Sequence, residues 1–388
     1  MCKIIDARGK KKLKDAKEYI ENQNIFENSI NGSLFVPTEE NKKINDKFSK
    51  IHKQLLDKYW EKIIDSSKMS KNKSELDEYR ESLKEGMFTI IGLVTEGGQG
   101  MATANNGRFI SVKKHSKQAE QILETRQKKL EEFNNEYKTN YILPKSEEEI
   151  ADLFEKLKNE YGLKIFGQGY IYRITDEENI ANIDDLSIDE KENGIKGTNT
   201  FVRYDKGDKD GNRWYYESPF LINWNEDNVK FLKENSGKKG NGMPVLRNPQ
   251  FYFREGFCWN NNLNENYIDI KCKLKPKSIP DVASMSLYSL SDTIPDFWIV
   301  LTINNKISGT IYRKFLNSTV NVQINDIKML PILVPTKEQL EEGRKLFERA
   351  VEIQKDFYDE MINEEIRKEK LSNVQQEIEE FFERIYML

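Results

Sequence analysis

Apolar residues recur at helical spacing near the start of the chain. Residues 1–85 contain the stretches KKLKDAKEYIENQ and NDKFSKIHKQLLDKYWEKII, in which Phe48, Ile51, Leu55 and Ile63 fall on one side of a helix. A spacing of three to four residues is typical of an amphipathic helix that packs one face on a core. We therefore predict that this segment is mainly helical.

The period of the pattern changes in the next part of the chain. An apolar run, MFTIIGLV, opens residues 86–115 and is followed by a Gly- and Asn-rich loop and the strand-like GRFISVK. Residues 116–160 are charged and carry two helical patterns. The second begins at Ser146 with Glu149 three positions later, which is the spacing of a capping box. We predict a helical insertion over 116–160.

Short strands broken by Gly, Asn and Asp dominate residues 163–335. The cluster KGDKDGN has the composition of a hairpin turn, and PDFWIVLTINNKIS fits either a strand or a short helix. From Thr336, a predicted N-cap, the pattern is helical again. The chain is therefore predicted to have an α+β fold, with a helical N-terminal segment (1–85), a mainly β domain (86–335, helical insertion 116–160) and C-terminal helices (336–388).

The C-terminal helical region carries a broad apolar stripe, formed by Leu340, Phe347, Val351, Phe357, Ile362 and Ile366. A stripe of this width packs on the rest of its own domain or docks on a partner protein. The pattern alone leaves both possibilities open.

Residues 201–260 differ from the rest of the chain in composition. They read FVRYDKGDKDGNRWYYESPFLINWNEDNVKFLKENSGKKGNGMPVLRNPQFYFREGFCWN, with many planar and cationic side chains and few aliphatic ones. Such groups stack on bases, pair with phosphates and read base edges. A loop-rich β domain with ordinary surface aromatics would look similar. Trp214, Trp224 and Trp259 are predicted core residues, because strand aromatics usually pack inward.

Charge is unevenly distributed along the 388-residue chain, whose net charge is −4. Residues 196–280 hold 15 Lys or Arg and 10 Asp or Glu, a net charge of +5. Residues 338–388 hold 8 Lys or Arg and 15 Asp or Glu, a net charge of −7. A local positive excess favours a nucleic-acid partner. Because the excess is modest, tight non-specific DNA binding is not expected.

Three absences in the sequence narrow the class of protein. The chain has no apolar run of 18 residues and no signal peptide, so we expect a cytoplasmic protein without a membrane partner. The three cysteines, Cys2, Cys258 and Cys272, are too scattered for a disulfide framework or a zinc site. With only two histidines, a metal site is not expected, and His115 is predicted to be a solvated polar residue.

Four segments resemble, in this order, the target-recognition regions of adenine-specific DNA methyltransferases of the type IIG and BREX-type restriction-modification families. They are GMATANNGRFI (100–110), YDKG with NRWYYESPFLINW (204–224), RNPQFYFREGFCW (247–259) and FLNSTVNVQINDIKMLPILVPTKEQ (315–339). The resemblance implies that 86–335 is a DNA target-recognition domain. The opening CKIIDARG resembles the strand after the catalytic core of these enzymes, which implies that 1–85 links to a catalytic half.

The sequence motifs for methyl transfer are not found in this chain. Transfer to an exocyclic base amine needs an [N/D/S]PP[Y/F] loop, and the nearest match, NPQF (248–251), has Gln250 in place of the second proline. We predict that it forms a turn into the strand FYFREGF. The glycine clusters at 97–100 and 165–169 lack the strand–helix context of a cofactor-binding loop. No catalytic residue and no cofactor are expected in this chain, and the resemblance implies S-adenosylmethionine in a catalytic partner.

Nine residues in or near the segments of resemblance are candidate DNA contacts, because their side chains donate to phosphates or base edges: Asn105, Asn106, Arg108, Lys206, Lys209, Arg213, Arg247, Tyr252 and Arg254. Each group has a structural alternative. The asparagines suit the positive φ of a turn, the cations of KGDKDGNR suit a solvated turn, and the arginines of the NPQF region can pair with acidic neighbours such as Glu255.

The leading hypothesis is sequence-specific recognition of double-stranded DNA for an adenine-specific DNA methyltransferase of a restriction-modification or phage-defence system. Base flipping and methyl transfer would then belong to a separate catalytic subunit or domain. The alternative is a protein-binding decoy or DNA mimic that docks on a methyltransferase through its acidic C-terminal helices. A DNA reader gathers basic and aromatic side chains on one concave face, whereas a decoy presents an acidic face.

Overall fold

The α+β class predicted from the sequence is confirmed by a computed structural model, which describes residues 1–6, 14, 16–208, 211–260, 270–317, 319 and 321–387. The strands in these ranges are β1 (Cys2–Asp6), β2 (Lys17–Glu21), β3 (Phe88–Ile90), β4 (Thr95–Gln99), β5 (Ile110–Lys113), β6 (Arg173–Thr175), β7 (Phe201–Asp205), β8 (Phe220–Asn223), β9 (Arg254–Asn260), β10 (Cys272–Pro280), β11 (Ser284–Ser289) and β12 (Pro331–Leu333).

Helices alternate with these strands along the chain, and the two longest groups of helices lie near its N-terminal and C-terminal ends. They are α1 (Asn24–Glu27), α2 (Glu39–Ile63), α3 (Ser66–Lys71), α4 (Lys73–Glu81), α5 (Ile91–Val94), α6 (Asn106–Phe109), α7 (Lys117–Tyr137), α8 (Glu147–Tyr161), α9 (Ile188–Asn193), α10 (Glu226–Asn235), α11 (Asp296–Asn304), α12 (Lys306–Ile311), α13 (Ile324–Lys328), α14 (Lys337–Tyr358) and α15 (Glu364–Tyr386).

Eight strands form one mixed sheet in the order β4-β11-β9-β10-β7-β8-β5-β6. Neighbours in the sheet are antiparallel except for β10–β7 and β5–β6, which are parallel. The β10–β7 joint consists of two residue pairs, Ile279 with Tyr204 and Pro280 with Asp205. This narrow joint divides the sheet into the half β4-β11-β9-β10 and the half β7-β8-β5-β6.

Each half of the sheet packs on its own hydrophobic core. The core of the first half joins strands β9 to β11 to helices α11, α14 and α15, and includes Trp259, Leu287, Trp298, Phe347 and Phe382. The core of the second half lies between β5, β7 and β8 and helix α10, and includes Phe109, Val202, Ile222, Trp224 and Leu232. Burial of these side chains is the main favourable term that holds the helices to the sheet.

The segment PDFWIVLTINNKIS, for which the sequence left strand and helix open, forms α11 and the start of α12. Residues 297–304 of α11 are all buried. A helix that is apolar on every side has no 3.6-residue period, so its sequence cannot be distinguished from that of a buried strand. The helix predicted for KKLKDAKEYIENQ is wrong over Lys17–Glu21, which form β2, because pairing with β1 outweighs the local helical spacing.

The predicted helix starts are confirmed at two positions. Ser146 Oγ accepts a hydrogen bond from the Glu149 backbone amide at 3.2 Å at the start of α8. Thr336 Oγ1 accepts one from the Gln339 amide at 3.2 Å at the start of α14, where a full capping box is present. These side chains satisfy amides that have no partner within their helix.

The first half of the C-terminal apolar stripe packs on the chain's own core, whereas Phe357 and Ile362 are half-buried outside that core and Ile366 is exposed. Phe347 is buried in that core, and Leu340 and Val351 pack against it. Trp214, Trp224 and Trp259 are also buried, as predicted, and His115 is exposed. None of the helices within the described ranges is long and apolar enough to cross a membrane.

The two motif-like loops singled out in the sequence have structural roles. Asn248 adopts a left-handed conformation (φ 51°, ψ 48°), and Pro249–Phe251 form one 3₁₀ turn that leads into β9, which confirms the predicted turn. The cluster at 97–100 lies in β4 and just after its end, and the next helix, α6, is a single turn that begins only at Asn106. A Cβ at Gly100 would lie 1.9 Å from the Pro280 carbonyl oxygen, so glycine allows this close backbone approach.

Candidate nucleic-acid interface

Two of the segments that resemble recognition regions lie against each other. Ala102 and Val245 form an antiparallel bridge, in which each amide donates to the other residue's carbonyl at 2.9 Å. The Asn248 side-chain amide donates to the Gln99 carbonyl at 3.0 Å. The 100–110 loop and the 247–254 turn are therefore neighbours in the fold.

The three candidates of the 100–110 loop differ in what their side chains can reach. Asn105 is buried and its Oδ1 accepts from Lys158 Nζ at 2.5 Å, so in this conformation it cannot touch a base. Asn106 Oδ1 accepts from Thr103 Oγ1 at 2.7 Å. The Arg108 guanidinium lies 3.8 Å from the ring centroid of Phe231. The Arg108 guanidinium makes no hydrogen bond or ion pair within the described residues, so its donors remain available to a ligand.

The three candidates of the 247–254 turn differ in how far they are buried and in whether their side chains have partners within the protein. Tyr252 is buried in the core beside Trp224, with ring centroids 6.1 Å apart, which leaves no free face for a base. Burial raises the pKa of the Tyr252 hydroxyl well above its usual range. Arg254 Nη1 donates to Glu96 Oε1 at 2.8 Å, so its acidic partner is Glu96. Arg247 is half-buried next to Tyr252.

The candidates between β7 and β8 are separated in space. Lys206 Nζ lies 3.8 Å from Asp281 Oδ2, and the amide of the next residue, Val282, donates to the Met101 carbonyl at 3.0 Å. Lys206 is therefore close to the 100–110 loop. Arg213 lies elsewhere, because Trp214 bridges to Lys273 near the other end of β10. Lys209 lies outside the described residues.

Arg213 lines a large cleft with a volume of about 1640 Å³. One wall is the turn 113–118 between β5 and α7. The floor is the segment 211–219, and the other wall is formed by α14 and α15. Seven Lys or Arg and four Glu side chains line the cleft, a net charge of +3. The cationic residues are Lys113, Lys114, Lys117, Arg213, Lys271, Arg367 and Lys368.

A network of side chains fastens the floor of the cleft to its helical wall. Arg213 Nη1 donates to Gln375 Oε1 at 3.0 Å, and Gln354 Nε2 donates to the Arg213 carbonyl at 3.0 Å. Arg367 Nη1 donates to Asn212 Oδ1 at 3.2 Å, while the Arg367 guanidinium stacks 4.2 Å from the ring centroid of Phe357. These contacts give the cleft a defined shape, because charge-assisted hydrogen bonds fix their partners' geometry.

The opposite wall carries cations that are exposed or held only by surface pairs. Lys113 Nζ lies 3.0 Å from Glu217 Oε1 and Lys114 Nζ lies 2.6 Å from Asp176 Oδ1. Surface pairs of this kind, one half-buried at Lys113 and one exposed at Lys114, contribute little stability, so a phosphate can replace the carboxylate at small cost. Lys117 is exposed and has no ion pair within the described ranges. This wall can therefore hold anionic groups.

Of the nine residues predicted from the sequence, the described structure places Arg213 in this cleft. The turn 113–118 has the basic sequence KKHSKQ, which follows the strand GRFISVK and precedes a helix. This group of cations was a signal for an anion-binding turn, but the sequence analysis predicted only that His115 is solvated. The helical wall had no comparable signal, because Arg367 and Lys368 lie in the acidic stretch 338–388.

Within the described residues, no three His, Cys, Asp or Glu side chains are grouped so that they could hold a metal ion. Neither a model of a known protein family nor a curated protein matches this chain.

Proposed function

We propose that this chain recognises double-stranded DNA, with the phosphate backbone held in the cleft between the turn 113–118 and helices α14 and α15. The observation that carries the proposal is the cleft's net charge of +3 in a molecule whose net charge is −4. Lys and Arg side chains that neutralise phosphates release counterions, and this release drives DNA binding.

The types of side chain in the cleft support nucleic acid over other anionic ligands. Gln118 places an amide group among the cations, and Tyr216 and Tyr358 add aromatic rings. Phosphate contacts position a protein on DNA, whereas amides and guanidinium groups read base edges. A decoy that mimics DNA would present acidic side chains in its concave surface, so the cationic lining favours the reader over the decoy.

The biological setting of the proposal rests on the resemblance to target-recognition regions. The chain would act in the cytoplasm as the specificity part of an adenine-specific DNA methyltransferase system. A separate catalytic subunit or domain would bind S-adenosylmethionine and transfer the methyl group. Arg108, stacked on Phe231, would contribute a contact outside the cleft.

The proposal is tested by measuring binding of the full chain to duplex DNA by fluorescence anisotropy over a series of salt concentrations. Lys117→Ala and Lys368→Ala should each weaken binding and reduce the slope of log K against log salt by about 1, because each removes one phosphate contact. Lys128→Ala is the matched control, since Lys128 is exposed on α7 but does not line the cleft.

Slopes that are equal for the wild type and both cleft variants would place the DNA surface elsewhere. Absence of DNA binding at low salt would overturn the proposed function itself. In that case the full chain should be examined for binding to a methyltransferase catalytic subunit, the activity that the decoy hypothesis requires.

A further inference from the structure

Five amide side chains line the cleft, and they differ in how far the fold uses them: Gln118, Asn212, Gln354, Asn363 and Gln375. Asn and Gln are the side chains that read adenine, because one amide can donate to one edge atom and accept from its neighbour. Such a reader needs both its oxygen and its nitrogen free. The hydrogen bonds of the five amides therefore decide which of them can read a base.

Asn212 and Gln354 are engaged at both ends of their amide groups. Asn212 Nδ2 donates to Asp208 Oδ2 at 2.9 Å, and its Oδ1 accepts from Arg367 Nη1 at 3.2 Å. Gln354 Nε2 donates to the Arg213 carbonyl at 3.0 Å, and its Oε1 accepts from Arg367 Nη1 at 3.4 Å.

Gln375 is also engaged at both ends of its amide group, whereas Asn363 is engaged only through its oxygen. Gln375 Oε1 accepts from Arg213 Nη1 at 3.0 Å and its Nε2 donates to the Asn304 carbonyl at 3.1 Å. Asn363 Oδ1 accepts from the Ile366 amide at 3.0 Å, where it caps α15. Using these four amides for a base would break contacts that shape the cleft or start a helix.

Gln118 is the exception. It is half-buried in the first turn of α7, and its side chain forms no hydrogen bond with any residue of the described ranges. It is next to Lys117, and Lys114 lies on the same turn, both of them cleft residues. A DNA backbone held by these lysines would bring the edges of its bases close to the start of α7. Residues at the start of a helix are the ones that reach base edges in the major groove.

We infer that Gln118 is a specificity-determining residue that reads one adenine of the bound DNA through its N6 and N7 atoms. The inference rests on the proposed function, because it needs DNA in the cleft. It adds a chemical preference that charge alone does not give. Phosphate contacts by lysines carry no sequence information, whereas a bidentate amide distinguishes adenine from the other three bases.

The experiment is selection of bound sequences from a pool of random duplex DNA by the full chain, followed by sequencing. Wild type should enrich a motif that contains at least one preferred adenine. Gln118→Ala should lose the preference at one position, by about 5- to 150-fold, and keep the rest of the motif and the salt slope. Gln118→Glu should shift that position from adenine to cytosine, since a carboxylate accepts from cytosine N4.

Gln121→Ala is the matched control, because Gln121 is exposed on the same helix and does not line the cleft. An unchanged motif for Gln118→Ala, with or without a loss of affinity, would overturn the inference. If Lys117→Ala still flattens the salt slope, the proposed function survives that result. A wild-type chain that binds DNA in the cleft but enriches no motif would also overturn the inference.

Discussion

His52 is a buried residue whose surroundings disfavour the protonated form of its ring. It is buried on α2, and its Nε2 lies 3.1 Å from the Met329 carbonyl oxygen, to which the neutral ring donates. Its Nδ1 is buried and has no partner among the described residues. A second proton on the ring would therefore be a buried charge without a counterion.

Burial lowers the pKa of His52 from 6.5 to about 4. The pKa of His52 in the folded state lies below its value in the unfolded state. The stability that the neutral His52 ring contributes is therefore fully present above pH 6.5 and is lost as pH falls from 6.5 towards 4. A shift of this size corresponds to about 3 kcal/mol. In His52→Gln, urea unfolding at steps from pH 7 to pH 4 should show a smaller loss of stability than in wild type.

The exposed His115 provides the control for this experiment, because it is the only other histidine in the chain. His115→Gln should follow the wild-type pH dependence. If wild type and His52→Gln lose the same stability between pH 7 and pH 4, His52 is not responsible for the loss of stability in acid.

Asp208 and Lys273 form a buried ion pair at the base of the cleft floor. Lys273 Nζ lies 3.5 Å from Asp208 Oδ2, and the side chains are 4% and 1% exposed, respectively. Asp208→Ala leaves the lysine charge buried, so we expect a loss of about 3–5 kcal/mol in the free energy of unfolding. Adding Lys273→Met should recover part of that loss, because the unpaired charge is removed.

Asp57→Ala is the matched control for the Asp208 experiment, since the Lys53–Asp57 pair is exposed and should contribute little. Urea unfolding of the three variants measures these differences. A double variant less stable than Asp208→Ala would show that Lys273 is satisfied by other groups.

At the scale of elements, we expect replacement of glycine by alanine to have opposite effects on stability at Gly100 and at Gly169. A Cβ at Gly100 would lie 1.9 Å from the Pro280 carbonyl oxygen, so Gly100→Ala forces β10 and the loop after β4 apart. We expect a loss of at least about 1–3 kcal/mol, the usual cost of overpacking. A Cβ at Gly169 would meet nothing within 4 Å, so Gly169→Ala should be tolerated.

Thermal or urea unfolding of the two alanine variants tests this contrast. Equal stabilities would mean that the strands can shift to accept a side chain at residue 100. Gly97, Gly98 and Gln99 of the cluster GGQG pair with β11, so strand contacts occupy the backbone of this cluster.

At the scale of the whole molecule, neither glycine cluster opens a long helix: the cluster at 165–169 is followed by β6, and the cluster at 97–100 lies in and just after β4, ahead of the one-turn helix α6. We expect that the chain alone does not bind S-adenosylmethionine, and isothermal titration calorimetry is the measurement. DNA at low salt is the positive control for an active preparation. Micromolar binding of the cofactor would contradict both this expectation and the assignment of methyl transfer to a partner.

Local patterns in the sequence were sufficient for much of the fold. The caps at Ser146 and Thr336, the turn at Asn248 and the burial of the tryptophans depend on near neighbours and on side-chain type, so they could be predicted. The helix α11 could not be separated from a strand, because complete burial removes the period that distinguishes them.

The cleft depends on contacts between residues that are distant in the chain. Lys117, Arg213 and Lys368 come together because the connection after β7 is fastened to α14 and α15, which pack on the core of the first half of the sheet. Burial likewise removed Asn105 and Tyr252 from the accessible surface. Composition shows which side chains are able to bind DNA, whereas long-range packing determines which of them share a surface and remain free to bind it.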